Sequence, residues 1–298
     1  RMMVLHRDGQ MIEHRQFREL KSCLHHGDLL VLNDTRVLAA RRFSDDGAVE
    51  FLFIERVGPM RWRCLVKPGR KMRIGASAKI DNVRLRVEEI LPDGERIVSP
   101  DKDVDFHCGG SIPLPPYIER ESDVEDEMRY QTIFAHVPGA LAAPTAGLHF
   151  TREILNEIPH AFVTLHVGPG TFRPVQSESI LEHKMHPEWF SVSAAAADKI
   201  NKAKRVVAVG TTAVRVLESA GRENGELITQ TGSTDIFIHP PYRFQHVDLL
   251  FTNFHLPKST LLMLVSAFAG REFVLRAYEE ATRERYRFYS YGDCTLII

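Results

Sequence analysis

Several short stretches of this chain hold residue types that can do chemistry at spacings unlike those of a packed core. Residues 141–151, LAAPTAGLHFT, are too rich in small side chains for a core helix and lack the alternation of a strand, yet they carry an imidazole, His149, between two apolar residues. Pro144 fixes φ, Gly147 admits turns closed to other residues, and Thr145 offers a hydroxyl that can cap the next helix or hold a ligand. Asn33, Asp34, Thr35 and Arg36 follow the apolar run DLLVLN. The run FVTLHV delivers His166 to the loop GPGTF, with Gly168, Gly170 and Thr171. Gly210, Thr211 and Thr212 join a strand-like segment to a helix, and Asn253 and His255 close DLLFTN. Glycines in such loops let the backbone curve round a small ligand, and unpaired N–H groups at a helix start suit an anion or polar group. Capped or tight turns are the plain structural reading of the same residues.

The elements that must position these groups follow from the apolar patterning. Nearly all-apolar runs at residues 28–33, 162–167, 205–209 and 248–253 read as strands buried on both faces. Helices are expected over 16–24, 151–158, 194–204, 213–220, 259–268 and 273–286, and a last strand over 294–298. Polar loops at the ends of such strands converge on one edge of a parallel or mixed sheet, where open α/β sheets bind ligands. Between 49 and 98 the texture changes to short segments separated by Gly, Pro and Asp-Asn turns, the pattern of a small antiparallel barrel. The expected fold is therefore α/β, a mixed or mostly parallel sheet with helices over 1–42 and 113–298, interrupted by a β-barrel domain over 43–112. Residues 113–120 read as an extended return linker and the acidic run 121–127 as an exposed loop.

Composition bounds the function classes. With 38 Lys and Arg against 39 Asp and Glu, the net charge of -1 gives no global attraction to nucleic acid or an anionic membrane, so a polyanionic partner needs a local basic patch. Lys67, Arg70, Lys71 and Arg73, clustered around a Pro-Gly turn, offer one for a phosphate backbone, or else form a solvated hairpin tip. The cysteines Cys23, Cys64, Cys108 and Cys294 are scattered, which indicates neither a disulfide framework nor a zinc site and suits a reduced cytoplasmic setting. His183, His186 and Glu188 are spaced suggestively for a metal, but Pro187 breaks the helix that would align them, and no metal is expected. No membrane span or signal peptide is visible. A start at Arg1 suggests that residues precede it.

Taken together, NDTRV at 33–37, PLPPYI at 113–118, RYQT at 129–132, APTAGLHFT, LHVGPGTF, VGTTAVRVLES, TNFHLPKSTLLMLVSAFAG and YRFYSYGD at 286–293 resemble the S-adenosylmethionine:tRNA ribosyltransferase-isomerases of queuosine biosynthesis. The motifs run in order over almost the whole chain. Against that family the junctions at 158–161 and 204–205 look short, and Pro169 and Pro241 replace an apolar residue and a Gly. The resemblance implies transfer and isomerisation of the ribosyl part of S-adenosylmethionine to 7-aminomethyl-7-deazaguanine at a tRNA wobble position. Epoxyqueuosine forms, and adenine and methionine leave. S-adenosylmethionine is then a donor substrate, with no bound prosthetic group, and tRNA is the partner.

The resemblance also implies roles. His149, His166 and Asp34 are the acid–base candidates, because imidazole titrates near neutrality and a partly buried carboxyl can have its pKa raised. Arg36 and Arg215 would bind the methionine carboxylate or a phosphate. Gly168, Gly170, Thr171, Gly210, Thr211 and Thr212 would line the donor site with Thr145 and Gly147. Asn253 and His255 would meet a base edge, and Asn33, Thr35, Tyr291 and Asp293 complete the expected substrate contacts. An S-adenosylmethionine-dependent RNA methyltransferase and a non-catalytic RNA-binding module are the alternatives. The first should show a Gly-rich loop after its first strand, and the second a basic face with stacking aromatics.

Overall fold

The computed structural model is described for residues 1–115, 117–118, 120, 123–172 and 180–298, without the side chains of Val124, Thr171, Phe172 and Leu181. The chain divides into two compact units, Arg1–Arg36 with Gln131–Ile298, and Val37–Tyr130.

The first unit is built on a nine-stranded mixed sheet. Its centre is four parallel strands in the order His160–Leu165, Asp28–Asn33, Arg205–Val209 and Leu249–Asn253. Leu30, Val31, Leu32, Val207, Ala208 and Leu250 in them are fully buried, which is why these runs are apolar at consecutive positions rather than alternating. On one side antiparallel strands Glu188–Val192 and Gln230–Thr234 extend the sheet. On the other, Cys294–Ile297 runs antiparallel to Leu249–Asn253 and parallel to Met2–His6, and Met11–Arg15 closes the edge.

Two cores cover the two sheet faces. The larger packs helices Ala194–Lys202, Thr211–Ser219, Thr260–Ala269 and Arg271–Arg283 against Val31, Val163, Leu165 and Leu250. The smaller covers the other face with Leu20, Ala146, Phe150, Leu155 and Ile158 on Leu32, Val209 and Phe251. The small-residue stretch around His149 is thus a lid on the sheet: a 3₁₀ turn, Thr145–His149, followed by a helix, Arg152–Glu157, capped by Thr151. The expected helix at 16–24 is a 3₁₀ segment, Phe17–Cys23, and Ser259 caps its helix as its type predicts.

The second unit is a six-stranded antiparallel sheet, ordered Arg41–Phe43, Glu50–Gly58, Arg61–Lys67, Arg96–Pro100, Val83–Ile90 and Ser77–Ile80. It is nearly closed: Asp45 N–H, just past the first strand of that order, donates to Lys79 O on the last at 2.8 Å. Phe51, Phe53, Trp62, Cys64, Leu85 and Phe106 fill the interior, with Phe53 and Phe106 stacked at 4.2 Å. The acidic run is not simply a loop. Asp123 accepts from Asp126 N–H and Asp126 from Asp123 N–H, both at 3.0 Å, and this reciprocal cap starts a helix, Val124–Arg129.

Candidate active site

Because the four central strands are parallel, their carboxyl ends share one edge, and that edge receives His166, Asp34, Gly210 and Asn253 in that order. At a strand spacing of about 4.8 Å the row spans roughly 14 Å. Such an edge is where open α/β sheets gather binding groups.

At one end of the row, register fixes a tight polar group. Asn33 acts as a staple: its side-chain oxygen accepts from Leu165 N–H at 2.9 Å and its amide donates to Leu165 O at 3.0 Å. The same oxygen accepts from Thr35 N–H at 3.2 Å, so the buried Asn33 sets the turn that presents Asp34 and Thr35. Thr164 Oγ1 donates to Asp34 Oδ1 at 2.6 Å, and Thr35 Oγ1 bonds His166 Nδ1 at 2.8 Å. Burial raises the Asp34 pKa against the Thr164 hydrogen bond and lowers that of His166. The histidine is thereby biased to its neutral, proton-accepting form and the carboxyl towards holding a proton. With Nδ1 held by Thr35, the imidazole lies over Gly139, where an added Cβ would fall 2.4 Å from Nε2. Only glycine fits there.

The strand beside His166 holds it from the other side. Trp189 O accepts from His166 N–H at 2.9 Å, and the indole stacks on the imidazole at 4.7 Å and 21°. Glu188, buried, accepts from Gly168 N–H at 2.7 Å and pairs with the guanidinium of Arg215, itself 6% exposed. Arg215 also reaches Thr234 O at 3.5 Å. Its terminal nitrogens thus face inward and secure the Gly168 turn through Glu188, while its Nε is buried with no protein partner among the described residues. Glu188 is not placed as a metal ligand: its carboxylate is spent on this pair, while His186 packs on Gly170 and His183 on Phe237.

At the other end, His149 Nε2 bonds Asn253 Oδ1 at 2.9 Å, and Asn253 donates to Tyr289 O and Ser290 O at 3.0 and 3.2 Å. Phe17 and Phe251 flank the His149 ring at 5.6 and 5.7 Å, and burial lowers its pKa. His149 thus shares the edge with Asn253 in a partly apolar niche, and its hydrogen bond to Asn253 puts it in a group separate from that of His166 and Thr35. Gly210, between the two groups, has φ +85° and would place a Cβ 3.4 Å from that of Ala146. It turns the strand into the helix Thr211–Ser219, at whose start Thr211 is buried and Thr212 Oγ1 is buried with no protein partner. Such a hydroxyl suits a ligand's polar group.

The remaining expected contacts are spread around this row. Arg36 is exposed just beyond Thr35, and Thr145 is half-buried at the start of the 3₁₀ turn. Gly147 is buried against Phe134 and Thr132, leaving no room for a Cβ. His255 bonds Thr252 Oγ1 at 2.9 Å, and burial lowers its pKa to about 4, which keeps the ring neutral. Asp293 is buried and accepts from Arg287 N–H at 2.8 Å, which spends it on the loop, whereas Tyr291 is 41% exposed. The Thr171 side chain lies outside the described residues, and Gly170 sits in the 3₁₀ turn Pro169–Phe172. Thr164, Gly139 and Trp189 were not singled out from sequence, because their roles depend on strand register.

In the second unit Lys67, Arg70, Lys71 and Arg73 are all exposed around the turn Gly69–Lys71. Beside them Asp45, Asp46, Lys71, Lys79 and Arg84 line a cleft of about 600 Å³.

Comparison with known proteins agrees with the motif resemblance. The family model described as Queuosine biosynthesis protein matches residues 1–297. The S-adenosylmethionine:tRNA ribosyltransferase-isomerase of Heliobacterium modesticaldum is 50% identical over 318 residues, covering 100% of this chain and 92% of that one. That of Clostridioides difficile is 48% identical over 322 residues with the same coverage. The crystal structure of S-adenosylmethionine tRNA ribosyltransferase from Thermotoga maritima is 40% identical, with a TM-score of 0.55 over 100% of this chain and 92% of that one. With matches of this extent, and with its polar groups gathered at one sheet edge, the chain belongs to the queuosine biosynthesis protein family of S-adenosylmethionine:tRNA ribosyltransferase-isomerases.

Proposed function

We propose that this protein transfers and isomerises the ribosyl moiety of S-adenosylmethionine onto 7-aminomethyl-7-deazaguanine at the wobble position of tRNA, working in the cytoplasm and releasing adenine and methionine. The observation that carries the site assignment is the single edge shared by the ends of four parallel strands, with two histidines and a raised-pKa carboxyl along it.

The reaction needs a base for a C5′ proton acidified by the adjacent sulfonium, a donor for departing adenine, and room for the incoming amine. His166 is the base in this reading: it is neutral, its Nδ1 is fixed by Thr35, and its ring is clamped between Trp189 and Gly139. Asp34, whose carboxyl pKa is raised by burial, is the candidate donor to the adenine leaving group, with Thr164 orienting it. Asn253, whose amide is fully engaged, would orient His149 towards the base edge at the far end of the row. Gly168, Gly170 and Gly210 with Thr211 and Thr212 would cradle the donor, and Arg36 the methionine carboxylate. Arg215 and Glu188 hold the Gly168 turn for that purpose. The α/β part would thus carry the chemistry, and the cations Lys67, Arg70, Lys71 and Arg73 of the β part would meet tRNA phosphates.

The test is incubation with S-adenosylmethionine and tRNA bearing the precursor base. Release of both adenine and methionine supports the proposal, and S-adenosylhomocysteine in their place refutes it.

A further inference from the structure

We propose that Trp189 is a stacking platform for a base of the tRNA acceptor. The inference rests on the functional reading above and adds a residue that the motifs do not mark.

The strand Glu188–Val192 buries alternate residues, Glu188, Phe190 and Val192, the last two in the larger core. The same alternation turns Trp189 to the opposite face, where it stands 41% exposed. On this sheet Met11, at the far edge, is exposed as well, but Trp189 is an exposed ring beside the site, and an amphipathic ring at a site edge is a recurrent device for holding flat ligands. Its neighbours across the sheet are His166 and the exposed Ser233, so the ring lies in the same row as the proposed base. The imidazole stacks on the indole, and the row ends there in an aromatic surface. Gly210 lies two strands further along the row from His166, beyond the strand that ends at Asn33. Outside duplexes RNA bases are read when they are unstacked and laid on aromatic side chains, and a base taken out of its stack needs its π-face covered. A wobble base that must offer its aminomethyl group to a sugar bound along this edge meets Trp189 at the end of the row. The occupant is accordingly an RNA base and not the adenine of the donor.

Two measurements test the assignment. Trp189→Ala should raise KM for precursor tRNA by about five- to a hundred-fold, the range of base–aromatic stacking losses, while KM for S-adenosylmethionine stays unchanged. Trp189→Phe should recover most of that affinity and Trp189→Leu should not, because only the π-face differs in kind. The second measurement uses the fact that the chain holds two tryptophans, the other being Trp62, buried in the β unit. In a Trp62→Phe variant the emission reports Trp189 alone, and precursor tRNA should quench it without donor or turnover. Quenching by S-adenosylmethionine alone, with a raised KM for it in Trp189→Ala, would assign the ring to the donor and overturn the proposal. A fall in kcat with tRNA KM unaltered would also overturn it, leaving Trp189 as a support for His166. Quenching by tRNA in a protein that releases no adenine would count against the ribosyl-transfer reading and still support the platform.

Discussion

The carboxyl edge of the nine-stranded sheet and the cationic turn of the β unit both gather polar side chains, but in opposite physical states. Along the edge, Asn33, Thr35, Glu188, Arg215 and Asn253 are buried and each is engaged with a named partner. Around the turn, Lys67, Arg70, Lys71 and Arg73 stand in solvent, where the Lys71 ammonium donates to Ala48 O at 3.3 Å. A buried, interlocked group fixes atoms to the precision that bond making needs, and losing one member disturbs the rest. Exposed cations supply charge that is nearly interchangeable and is screened by salt. The first arrangement should therefore govern kcat with strong coupling between residues, and the second KM for tRNA with near additivity.

Substitutions can break or sharpen this contrast. The largest effect is expected from Arg215→Met, which leaves Glu188 buried without its counter-charge: about 3–5 kcal/mol of stability lost in chemical denaturation. A companion Glu188→Met change should recover much of it, and simple additivity would deny that the two act as a pair. Gly139→Ala comes next. A Cβ there collides with the His166 ring, and a displacement of about 1 Å at a reacting group costs roughly a hundred-fold in rate, to be read as kcat with the unfolding midpoint little changed. Replacing Lys71 and Arg73 by Ala should leave kcat intact. Tighter salt dependence than in the parent would contradict the phosphate role, because each lost phosphate contact lowers the slope of log K against log salt by about 1. A fourth effect concerns pH. Folded His255 titrates at about 4, whereas an unfolded histidine titrates near ~6.5, so between those values the unfolded chain binds the proton first. Stability is therefore full above pH ~6.5 and declines as pH falls towards 4, a component that should vanish in His255→Asn.

How much of this was readable from sequence varied with the kind of constraint. The four central strands were legible because burial on both faces demands consecutive apolar residues, and their polar ends followed from that. The strand Gln230–Thr234 was not, since QTGST is half exposed and carries no apolar signal. The strand Glu188–Val192 escaped as well, because its alternation is short and follows Pro187. Within the site, the motif resemblance brought forward His149, His166 and Asp34 together, and the sequence did not rank them. The inward turn of Arg215 could not be inferred, because its partner lies 27 positions away and is set beside it only by the packing of helix on sheet. Thr164 reaches Asp34 and Trp189 reaches His166 through strand register alone.

The central claim is that ribosyl transfer takes place at the shared edge of the parallel strands with His166 as base. Adenine release by His166→Ala, measured with saturating S-adenosylmethionine and precursor tRNA on protein shown to be folded, tests it most directly. A fall of about 10²–10⁴-fold, the usual contribution of a general base, with tRNA affinity retained is the predicted result. Parental turnover in that variant would contradict the account.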